Sequence, residues 1–139
     1  MHRFALFLVA LCLVLPAAAE RKQSFGELDV HYSAFNSTFL QPDIAAAAGL
    51  VRSKQQGVLN IAVLKAGQPA QASVSGEVKN LLGQTHALEF KPVKEGNALY
   101  YLAQFPFDQQ EMLRFSLSVK VGNQAPNSFE FNQEFFPEP

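Results

Sequence analysis

Between positions 113 and 121 apolar and polar residues alternate without a slip. Leu113, Phe115, Leu117, Val119 and Val121 fall on one side, and Arg114, Ser116, Ser118 and Lys120 on the other. A period of two puts successive side chains on opposite faces of a half-buried strand, and no helical period accounts for it. The same test picks out six more runs. Leu28, Val30, Tyr32 and Ala34 share a row, as do Leu59, Ile61 and Val63; Ala72, Val74, Gly76 and Val78; and His86, Leu88 and Phe90. Leu99, Tyr101, Ala103 and Phe105 form a row whose reverse side, Tyr100 and Leu102, is also apolar. That strand is expected to be covered on both faces. Phe129, Phe131, Gln133 and Phe135 make the last run.

Turn chemistry separates these runs. Ala66-Gly67-Gln68-Pro69, Asn80-Leu81-Leu82-Gly83, Lys94-Glu95-Gly96-Asn97 and the stretch 122–127 carry the Gly, Pro and Asn that tight reversals need. The connection over 107–112 is polar, with room for one helical turn. Seven strands at regular spacing predict an all-β fold, an immunoglobulin-like sandwich of about seven antiparallel strands. One segment, 35–53, breaks the pattern and predicts a short helix between the first two strands. Pro42 suits a first helical residue, Asp43 the positive end of the dipole and Gly49 the C-terminal cap. This helix is expected to close one end of the sandwich.

The beginning of the chain reads as an address. One cation, Arg3, precedes a twelve-residue apolar run and then Pro16-Ala17-Ala18-Ala19. This is the layout of a secretory signal peptide over 1–19 with cleavage after Ala19, leaving a single domain over 20–139. The run is too short for a spanning helix, so no membrane span is expected after cleavage. The only cysteine, Cys12, lies inside the run. Disulfides, thiolate metal sites and cysteine nucleophiles are therefore excluded from the mature chain. Export without disulfides points to a bacterial periplasm. The mature chain retains eleven of the thirteen Phe, which suit the space between two sheets about 10 Å apart. Its charges are ten basic against twelve acidic, a net of −2 with histidine neutral, and its basic residues are dispersed. No basic face for nucleic acid or for an anionic membrane surface is expected.

Candidate chemistry is sparse. The row Glu27, Asp29 and His31 is the best metal-ligating pattern, and a solvated strand face accounts for it as well. His86 reads as a histidine at the edge of the core. There is no G-x-S-x-G, S-x-x-K or H-E-x-x-H pattern and no phosphate loop. No catalytic residue, cofactor or metal site is assigned, and the chain is not expected to be an enzyme. Asn36-Ser37-Thr38 matches the N-glycosylation pattern but also suits a side-chain-bonded turn. The segment's apolar residues either cap the sandwich or form a patch for a partner. Asn36, Ser37, Thr38, Phe39, Leu40, Leu50 and Arg52 are the candidate partner-binding residues.

The run Tyr32-Ser33-Ala34-Phe35-Asn36-Ser37-Thr38-Phe39-Leu40, then Pro42 and Gly49-Leu50-Val51-Arg52-Ser53, resembles the bacterial family known as domain of unknown function 4426. Ala103-Gln104-Phe105-Pro106 and Leu113-Arg114-Phe115 resemble its second half. The resemblance covers nearly all of the mature chain. It implies an exported, single-domain, immunoglobulin-like sandwich of Gram-negative bacteria and implies no activity. The expectation is a monomeric periplasmic binding or accessory module for a protein or cell-envelope component. A small-ligand or metal-ion carrier is the alternative.

Overall fold

The computed structural model describes residues 21–137. The expected signal peptide, its expected cleavage site and Cys12 lie outside the described residues. Ten strands form two antiparallel sheets. They are β1 (Arg21–Phe25), β2 (Leu28–Asn36), β3 (Gln56–Lys65), β4 (Gln68–Pro69), β5 (Ser73–Lys79), β6 (Thr85–Leu88), β7 (Lys91–Glu95), β8 (Ala98–Pro106), β9 (Glu111–Lys120) and β10 (Asn127–Phe135). The larger sheet runs β1-β2-β3-β8-β7, with β4 appended to β3, and the smaller runs β10-β9-β5-β6. The order β2-β3-β8-β7 against β10-β9-β5-β6 is the A-B-E-D and G-F-C-C′ order of an immunoglobulin domain.

The seven expected strands are present, and the three additional ones have physical reasons for escaping a periodicity test. β1 reads Arg-Lys-Gln-Ser-Phe and buries almost nothing. β4 is two residues long. β7 contains one buried residue, Val93, and a proline, which an edge strand tolerates. The run through His86, Leu88 and Phe90 is cut short after Leu88, because the chain crosses there from the smaller sheet to the larger. The 107–110 connection is irregular and holds no helical turn. Phe107 anchors it instead, buried against Phe135 at 5.4 Å between ring centroids.

The alternating rows meet between the sheets. Val30, Tyr32, Leu59, Ile61, Val63, Ala103 and Phe105 face Phe115, Leu117, Val119, Phe129 and Phe131. Burying each large apolar side chain stabilises the fold by roughly 1.5–3 kcal/mol. Gln133 interrupts the apolar row of β10 for a structural reason. Its Nε2 donates to the Ala34 carbonyl of the opposite sheet at 2.7 Å, while its Oε1 accepts from Arg21 Nη2 at 2.5 Å. The Arg21 guanidinium lies 4.7 Å from the Phe131 ring centroid and 5.1 Å from that of Tyr32. This edge of the sandwich is thus closed by a polar clasp over stacked rings.

The helix, α1 (Pro42–Ala48), forms where expected, with Pro42 in its first turn and Gly49 left-handed at φ 69°. Leu50 N–H donates to the Ala45 carbonyl and Gly49 N–H to that of Ala46, a Schellman termination. Its position differs from the expectation. It does not close an end of the sandwich but lies across the outer face of the larger sheet. Leu40, Ala45 and Ala48 pack there on Val58, Val93 and Leu102, with Phe35, Ile44, Leu50 and Tyr100 at the margin. The outward row of β8 supplies the reason. Tyr100 and Leu102 need an apolar cover, and the residues around α1 provide it. β8 is covered on both faces, as its sequence requires.

Candidate functional site

The segment between β2 and β3 is fixed by side-chain bonds at several points. Ser37, fully buried, donates from its hydroxyl to the Ser53 carbonyl and accepts from Ser53 N–H, both at 2.8 Å. Arg52 Nη2 donates to the Thr38 carbonyl at 2.9 Å. Asn36 Nδ2 donates to the Phe136 carbonyl at 3.1 Å, tying the segment to the end of β10. The Gln104 side-chain amide pairs with the N–H and C=O of Val51, as a neighbouring strand would. Leu40 is buried and Leu50 half-buried. Phe39, at 73% exposure, projects into solvent. Of the seven candidate residues, then, six are tied into the scaffold and Phe39 alone stands out from it.

Ser37→Ala is expected to cost about 1–3 kcal/mol, because the part-buried Ser53 N–H loses its acceptor and the Ser53 carbonyl keeps only Gln56 N–H as donor. Thermal melts of the two proteins check this. An unchanged midpoint would mean that water replaces the hydroxyl.

Beside α1 the outer face of the larger sheet forms an open groove of about 540 Å³. His31, Ser33 and Phe35 of β2, Asn60 and Ala62 of β3, and Tyr100 and Leu102 of β8 form its floor. Phe39, Leu40 and Ile44 stand on one side and Pro69, Val93 and Glu95 line its margins. Register explains the floor. Ser33 pairs with Asn60 and Asn60 with Leu102, so these three outward side chains lie side by side across three strands. Asn60 Oδ1 is shut off from solvent and has no hydrogen-bond donor.

The Glu27, Asp29 and His31 row is divided. Glu27 sits in the β1–β2 turn, Asp29 Oδ1 accepts from Ser24 Oγ at 2.7 Å, and His31 lines the groove. No group of three His, Cys, Asp or Glu side chains suited to a metal occurs among the described residues. His86 is not at the edge of the core but exposed on edge strand β6, in a smaller polar cleft with Asp108 and Glu111. Its row position faces inward, yet no neighbouring strand lies beyond β6 to cover it.

The exposed large apolar side chains among the described residues are Phe39, Val51, Leu81, Leu82, Met112 and Phe136. Strand register places all six toward one end of the sandwich, where β2, β5, β8 and β10 finish and β3, β6 and β9 begin. The opposite end consists of turns around Gly26, Gly67, Gly96 and Gly122, each at positive φ and each followed by a polar residue, Glu27, Gln68, Asn97 and Asn123. Leu81 and Leu82, at 81% and 85% exposure, crown the β5–β6 turn. Asn80 holds that turn: its Oδ1 accepts from Leu82 N–H at 3.0 Å and Gln84 N–H at 2.9 Å, and its Nδ2 donates to Gln84 Oε1 at 2.8 Å.

An immunoglobulin-like sandwich with a helix laid over one sheet is the class this geometry defines. The model of the family domain of unknown function 4426 matches residues 22–138, and the chain belongs to that family. A crystal structure of a family member from Pseudomonas aeruginosa is 48% identical, with a TM-score of 0.84 over 88% of this chain and 99% of that one. FetP of uropathogenic Escherichia coli strain F11, isolated after recombinant expression in the periplasm, shares the fold at 13% identity. Its TM-score is 0.65 over 87% of this chain and 96% of its own. A copper-bound variant of FetP matches at a TM-score of 0.64 and 13% identity over 87% and 92%. Comparison with curated proteins returns no match.

Proposed function

We propose that the protein is an exported, non-catalytic binding module of the periplasm that docks a protein partner of the cell envelope through its apolar end. Six exposed large apolar side chains, Phe39, Val51, Leu81, Leu82, Met112 and Phe136, lie toward the same end of the sandwich, and this carries the reading. Single exposed apolar residues are ordinary, but their gathering opposite an end of polar turns is a pattern that interaction surfaces show. The Asn80 turn adds support. Two adjacent leucines on a hydrogen-bonded turn lose little backbone freedom on docking, so more of their burial appears as affinity. Export rests on the residues before Glu20.

A photocrosslinking residue placed at 39 or at 82, in cells that make the protein, is expected to capture the same envelope protein. The same residue at 123, in a turn at the opposite end, should capture none. Leu81→Ser with Leu82→Ser should abolish capture while changing stability by no more than about 0.5 kcal/mol, since neither side chain is buried. Equal capture from both ends would sink the proposal.

A further inference from the structure

The outer-face groove has chemistry of its own and meets the apolar end at Phe39. We infer that it binds a small, uncharged, largely apolar molecule carrying a carboxamide-type edge, a donor and an acceptor side by side, and that Asn60 reads that edge. Four observations converge. The volume of about 540 Å³ lies within the ~300–1,000 Å³ of small-molecule sites. The lining is mainly aliphatic and aromatic around a few polar groups, the usual composition of such sites. No lysine or arginine lines it, and its charged candidates are His31 and Glu95, so an anion would find no fixed counter-charge.

The fourth observation is Asn60 itself. Its Oδ1 is buried without a donor, an arrangement that costs free energy and calls for an explanation. The terminal torsion of an asparagine is broad, so rotation about it would bring Oδ1 to the groove. The same amide carries N–H donors. Oδ1 is already without water, a ligand covering the groove would enclose the N–H end as well, and only a group offering both a donor and an acceptor would satisfy the two. The protein already uses this pairing on the same face, where the Gln104 amide holds the N–H and C=O of Val51. Phe39, exposed at the groove's margin, can fold over an apolar ring seated there.

The test uses 2-naphthamide as a fluorescent probe and N,N-dimethyl-2-naphthamide, which lacks the N–H, as its control, with the purified chain from residue 20. The primary amide is expected to bind saturably and about tenfold more tightly than the dimethyl compound, the ratio that one satisfied buried acceptor gives. Asn60→Leu should bring the two affinities together without lowering the melting temperature, because it removes a polar atom that has no partner. No saturable binding, equal affinities for wild type, or a preference that survives in Asn60→Leu would each overturn the inference. If Asn60→Leu does not fold, the two probes on wild type decide alone. Capture of an envelope protein from position 82, which does not line the groove, bears on the other proposal and not on this one.

Discussion

Phe115→Ala is expected to lower the unfolding free energy by about 3–5 kcal/mol, the largest effect of any single truncation in this core. Phe115 is fully buried on β9. Its ring stacks on Phe131 at 4.7 Å and 12°, meets the edge of Phe105 at 5.2 Å, and lies 6.2 Å from Phe135. Three rings from two sheets therefore converge on one side chain. The ladders fix the backbones on which those rings stand, so truncation leaves a cavity that the neighbours fill only in part. Urea unfolding should show a lower midpoint at unchanged slope. A loss below 1 kcal/mol would mean that the aromatic core collapses freely.

Gly76→Ala should follow closely, at about 3 kcal/mol, toward the upper end of the cost of overfilling a core. A Cβ at Gly76 would stand 2.4 Å from the Ser116 carbonyl oxygen and 2.7 Å from Leu117 Cδ2. The oxygen belongs to the β5–β9 ladder and cannot retreat without breaking pairing. Gly57 offers a control with a different obstacle. Its added Cβ would lie 2.4 Å from Cζ of the Phe105 ring, opposite it in the β3–β8 ladder. Phe105→Leu should therefore relieve much of the Gly57→Ala penalty, whereas Leu117→Ala should leave most of the Gly76→Ala penalty in place. Double-mutant cycles in urea read the difference as non-additivity near Gly57 and near-additivity at Gly76. The reverse pattern would refute the assignment of the obstacles.

These contrasts bear on how far the sequence reveals the molecule. The alternation from 113 to 121 determines β9 with its inner face, and Pro42 with Gly49 determines both ends of α1. Local chemistry is decisive there. Where α1 lies depends on Tyr100 and Leu102, whose apolar character showed that a cover was needed but not what supplied it. The groove was less legible still. Its floor joins Ser33, Asn60 and Leu102, which only the pairing of three strands brings together. Asn60 looks unexceptional in the sequence, because an outward asparagine on a strand carries no sign that its oxygen will be enclosed. The exposed pair Leu81 and Leu82 sat inside a recognisable turn. Their significance rests on Phe39, Val51, Met112 and Phe136 lying toward the same end, which follows from topology.

The layer formed by α1 gives the larger sheet two apolar faces that belong to separate clusters. One belongs to a cluster of nineteen buried residues shared with the smaller sheet, and the other to a cluster of six shared with the two-turn helix and Leu40, with a few polar clasps beside it. Opening the second does not require opening the first. The fold is therefore expected to show two tiers of cooperativity, a sandwich that unfolds as a whole and an outer flap that lifts alone at a smaller free energy, read by hydrogen exchange. Amide protons of α1 belong to the fast tier, and those at the centres of β3 and β9 to the slow one. The groove's wall at Leu40 and Ile44 would then move with the flap, while its floor on β2, β3 and β8 stays with the sandwich.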